Sequence, residues 1–228
     1  MGPLVPDIVY RPSSDVENLL ASRGTYSKVR SVFKTLSLDP SITDIEMRIK
    51  QVRILNNQEF IGTGDIYIVV VAVDDLSKKP ITMQVKTFEG VRNNDELTLG
   101  PAGLAVYRNP KGQIPRFLDY RLIVMESDQE KRDFGKLLAD VEADTQFKSV
   151  RDGLIAMATA TQPAAALVIA AADTIVNVIS RVLKADRDDQ VIYIAGSFND
   201  KIDDLGVKLG PITQKNRNAI VTYQVMSA

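Results

Sequence analysis

The chain has 228 residues, 45% hydrophobic and 25% charged, and its 28 basic and 29 acidic residues leave a formal net charge of -1. It contains no cysteine, histidine or tryptophan, which excludes thiolate nucleophiles, Ser-His-Asp and Cys-His catalysis, zinc fingers and disulfides and leaves any chemistry to carboxylates, hydroxyls, Lys or Arg. The opposite charges are interspersed, so no basic patch forms that would neutralise several phosphates, and nucleic acid is not an expected partner.

Met1 to Arg11 carries Asp7 and two prolines and no basic stretch before an apolar core, so no signal peptide is read there and a cytoplasmic location is favoured. Ser14 and Glu17 form a capping box, and Tyr26, Val29, Phe33 and Leu36 recur at helical spacing before Asp39-Pro40. This predicts a helical pair over 14–38. From Ile45 the period changes to two: Ile45, Met47 and Ile49 share one parity, Val52 and Ile54 the other, so a strand with a bulge near Lys50-Gln51 is expected. Ile66 to Val73 is apolar on both parities and β-branched, which predicts a strand buried on both faces. Further strands are predicted at 81–88, 96–99, 104–108 and 116–126, separated by Asn, Pro and Gly turns.

Ser127 and Glu130 make a second capping box, followed by Phe134, Leu137, Leu138 and Val141 at helical intervals. A helix over about 128–147 is predicted, then a second from near Val150 and an Ala-rich third from near Pro163, with Asp173, Asn177, Arg181 and Lys184 as its polar stripe. Val191–Phe198 and Ala219–Val225 complete eight strand candidates. The expected fold is α+β: an antiparallel eight-stranded β-sandwich domain over 45–228 with a helical insertion at about 128–185, preceded by a helical segment, 1–44.

Gly153 to Ala172 is uncharged for 20 residues, nine of them alanine. Its length would span a bilayer, but alanine contributes little insertion energy and Gln162-Pro163 interrupts the middle, so a buried helical hairpin is the favoured reading and membrane insertion the alternative.

The acidic residues at strand ends, Asp65, Asp74, Asp75, Glu126, Asp128 and Asp133, are the type of hard-oxygen donor that calcium takes in groups of six to eight. With Gly64-Asp65-Ile66-Tyr67-Ile68, Val124-Met125-Glu126-Ser127-Asp128, Asp133-Phe134-Gly135 and the strand count, the stretch 45–135 resembles a C2 domain. The resemblance implies calcium ligation by Asp65, Glu126, Asp128 and Asp133 and contact with a lipid surface or a protein. Without it, the same acids are ordinary turn and cap residues. The expected role is non-enzymatic binding or assembly with a protein partner or a second copy. A structural subunit of a virion, secretion or toxin assembly is the alternative.

Overall fold

Residues 66–73 set the architecture, because a strand apolar on both parities needs a cover on each face. The computed structural model describes residues 38–59, 62–76, 79–127, 133–158, 165–184 and 189–228. In it β2 (Gly64–Asp74) is the buried strand of a sheet ordered β3-β2-β5-β6, with β3 at Ile81–Val91, β5 at Phe117–Ser127 and β6 at Asp189–Asn199. A second sheet is ordered β4-β1-β8-β7, from β4 (Leu104–Arg108), β1 (Ile45–Ile54), β8 (Ala219–Ser227) and β7 (Ile212–Lys215). All pairings are antiparallel. Each sheet joins strands from both sides of the helical insertion, since β1 pairs with β8 and β5 with β6.

One parity of β2, Ile66, Ile68, Val70 and Ala72, belongs to an apolar cluster shared with Ile45, Met47, Ile49, Val221 and Val225 of the other sheet. The opposite parity, Tyr67, Val69, Val71 and Val73, meets the helices. The expected bulge is present: the β1–β8 register slips between Ile49 and Gln51, leaving Lys50 as the extra residue and keeping Val52 and Ile54 buried.

Three helices, α1 (Phe134–Ala143), α2 (Thr145–Ala158) and α3 (Ala165–Lys184), cover the outer face of the β2 sheet. Phe134 sets its ring 4.9 Å from that of Tyr67, and Val168, Ala172, Ile175 and Ile179 bury one stripe of α3. Leu154, Val168, Ala171 and Ala172, inside the uncharged segment, are buried. Among the described residues no helix is long and apolar enough to cross a membrane.

Several expected boundaries change. The helical pair over 14–38 lies, Leu38 apart, outside the described residues, as do Glu130 and Pro163. Segment 96–99 is not a strand; it makes one bridge, Arg53 to Glu96, and Leu97 N donates to Val52 O. The eighth strand is instead β7, which pairs with β8. The helix expected over 128–147 starts at Phe134, with Asp133 as its cap, and stops at Ala143. Asp144 interrupts it because its carboxylate accepts from Gln146 N at 2.8 Å and Phe147 N at 3.3 Å, which starts α2 five residues earlier than Val150.

Candidate functional site

The acids singled out by sequence do not form one cup in the described structure. Asp65 is the second residue of β2, while Asp74 closes it, nine strand positions away. Asp65 lies opposite Ser127 and Glu126 opposite Ile66. Successive residues of a strand face opposite ways, and Ile66 and Val124 face the other sheet while Tyr67 and Met125 face the helices. Glu126 therefore lies on the inter-sheet side and Asp65 on the helical side. Asp65 accepts from Gly90 N at 3.0 Å. Asp133 is exposed and caps α1 by accepting from Lys136 N at 3.0 Å. Asp128 lies outside the described residues. Glu126 is 2% exposed and sits beside Glu59: a Cβ placed on Gly64 would be 3.1 Å from Glu59 Cγ and 3.3 Å from Glu126 Cγ. Among the described residues no group of three or more acidic side chains is arranged to hold a metal ion.

A different polar constellation is assembled under the helices. Asp119 and Arg121 of β5, two residues apart, share the helix-facing side, and both are buried. Arg121 Nη1 pairs with Asp119, and its Nη2 reaches Asp173 of α3 at 2.7 Å. Ser197 of β6 donates to Asp119 Oδ2 at 2.6 Å. Burial pushes the Asp119 carboxyl up to about 7, with Arg121 pulling the other way. Burial works hardest on the Arg121 guanidinium, to lower it, but Asp119, Asp173 and Tyr193 together outweigh that and leave it raised. The neighbouring Tyr193 hydroxyl is pushed up to about 12 by burial. The network ties β5, β6 and α3 together.

At the far end of β2, Asp74 accepts from Tyr107 Oη at 2.7 Å, which links the two sheets, and from Leu76 N at 2.8 Å. Burial raises its carboxyl to about 6.

Open grooves lie among the described residues. One, of about 540 Å³, lies between Leu38–Thr43, the Gly112–Arg116 loop and Asp200-Lys201. Another, of about 320 Å³, runs along the outer edge of β6 beside Gln214, Lys215 and Asn216. Asn216 Nδ2 crosses it to donate to Val191 O at 2.8 Å.

Sequence reasoning missed the Asp119–Arg121–Asp173 network. Its signal was an Asp and an Arg two positions apart inside an apolar strand, with one carboxylate in the middle of an apolar helix. Asp173, expected in the polar stripe of α3, turns toward the sheet instead, to Arg121. No protein-family model matches the chain, and no curated protein is similar to it at a significant level.

Proposed function

We propose that the chain is a non-enzymatic binding or assembly module on a C2-like β-sandwich, with the helical insertion as a third layer over one sheet. One observation carries this reading: Asp74 and Asp119, two buried carboxyls held well above their ordinary range, are bonded inside the fold, Asp74 to Tyr107 of the other sheet and Asp119 to Arg121 and Ser197 of its own, instead of facing a cavity. A catalytic acid or base must reach the atom it serves, and these reach Tyr107, Leu76, Arg121 and Ser197. The open surfaces are shallow grooves beside strand edges and loops, a form suited to a segment of another chain. A structural subunit of a larger assembly is the version of this reading in which the partner is another copy.

A calcium-dependent adaptor is the second reading, favoured by Glu59 and Glu126 flanking Gly64 at the loop end of the β2 sheet. Sedimentation velocity over a concentration series, with and without millimolar calcium and anionic vesicles, tests both. Reversible association supports a module, and a calcium-induced rise in Tm lost in Glu126→Gln selects the adaptor. A chain that stays monomeric and inert to both additions contradicts the proposal.

A further inference from the structure

β6 is an edge strand of 11 residues, with β5 on one side only. Residues 190–199 contain no charged residue and no proline. Edge strands are ordinarily guarded by lysine, proline or brevity, because their unsatisfied N–H and C=O groups invite another strand. The other three edges carry such guards: β3 has Lys86 and Glu89, and β4 and β7 are five and four residues long.

The direction of each β6 backbone group follows from its flanking hydrogen bonds. Asp200 N donates to Arg116 O across to β5, so even-numbered residues of this stretch bond inward. Odd-numbered residues therefore point outward, as the Asn199 N bond to Asp203 Oδ1, 2.7 Å, shows. Asn216 occupies the outward carbonyl of Val191 at one end and Asp203 the outward N–H of Asn199 at the other. Between them Tyr193, Ala195 and Ser197 present their outward groups along the groove, and among the described residues nothing pairs with them.

We infer that two copies of the chain associate through β6, antiparallel about a two-fold axis at Ala195, so that the two β2 sheets become one continuous sheet. This rests on the assembly reading and specifies its partner. The open positions are symmetric about Ala195, so Tyr193 meets the partner's Ser197, Ala195 meets its own equivalent, and every outward group on both strands is used at a single register. Behind the edge, the Ser197–Asp119 bond anchors the strand to β5, so the pairing surface is held in place before the second copy arrives.

Sedimentation velocity and hydrogen exchange on the full chain test the inference. The wild type is expected to form a concentration-dependent dimer in which the Tyr193, Ala195 and Ser197 amides become protected as concentration rises. Ala195 is exposed, so Ala195→Lys is tolerated in the monomer but sets like charges face to face, and the dissociation constant rises at least about tenfold. A wild-type dimer that Ala195→Lys leaves unchanged overturns β6 pairing while leaving the assembly reading intact. A wild type that stays monomeric yet binds calcium or vesicles overturns the dimer alone.

Discussion

The Tyr120 hydroxyl of β5 lies 2.8 Å from the Tyr223 hydroxyl of β8, so a buried hydrogen bond crosses between the two sheets there. Tyr120 also stacks on Phe198 with ring centroids 5.2 Å apart. Removing one hydroxyl leaves the other buried without its partner, which costs more than removing both. Tyr120→Phe and Tyr223→Phe are each expected to lose about 1 to 3 kcal/mol in urea unfolding, and the double variant less than the sum.

Gly196 of β6 packs directly against the Tyr120 ring, where any Cβ would collide with the hydroxyl end. Gly196→Ala is expected to destabilise by about 1 to 3 kcal/mol through displacement of that ring. Gly112, whose added Cβ would meet nothing, serves as the position for comparison, although its φ of 72° adds local strain of its own.

Asp74 sets a pH dependence of known sign. Its folded-state value is raised to about 6 by burial, so the folded form resists ionisation that the unfolded chain undergoes near pH 4. Stability is therefore full below about pH 4, falls as pH rises through 6, and levels off above it, by on the order of 3 kcal/mol. Asp119, raised to about 7, extends the fall in the same direction. In Asp74→Asn the amide oxygen accepts from Leu76 N while the amide nitrogen donates to Tyr107, and thermal melts should show the pH 4–6 portion of the slope flattened.

Arg121 is the cation that both Asp119 and Asp173 face. Arg121→Met leaves Asp119 buried without it and is expected to destabilise by about 3 to 5 kcal/mol. Asp173→Ala, at a side chain 33% exposed, should cost only about 1 kcal/mol or less. Urea unfolding of both, with hydrogen exchange of α3 as the local readout, checks the ordering.

Much of the fold was legible because burial on defined faces writes a period into the chain. The parity change between Ile49 and Val52 disclosed the bulge, and the two-sided apolar run 66–73 disclosed a strand with a layer on each side. β7 was not legible: Ile-Thr-Gln-Lys sits at an exposed edge and carries no apolar alternation. The reverse error occurred at 96–99, where Leu97 and Leu99 alternate but the backbone makes one bridge. The helix break at Asp144 was hidden because neither glycine nor proline marks it between Val141 and Phe147. The Asp119–Arg121–Asp173 network joins residues 52 positions apart, a relation that spacing along the chain cannot express.

The account depends on the first and last strands lying side by side, since that pairing makes one body of the segments before and after the helices. Arg53 and Ile220 are register partners in β1 and β8, and the chain has no cysteine to interfere. Replacing both with cysteine and oxidising the folded protein under dilute conditions should give near-complete intramolecular disulfide with Tm retained or raised. Absence of the bridge in folded protein would contradict the arrangement.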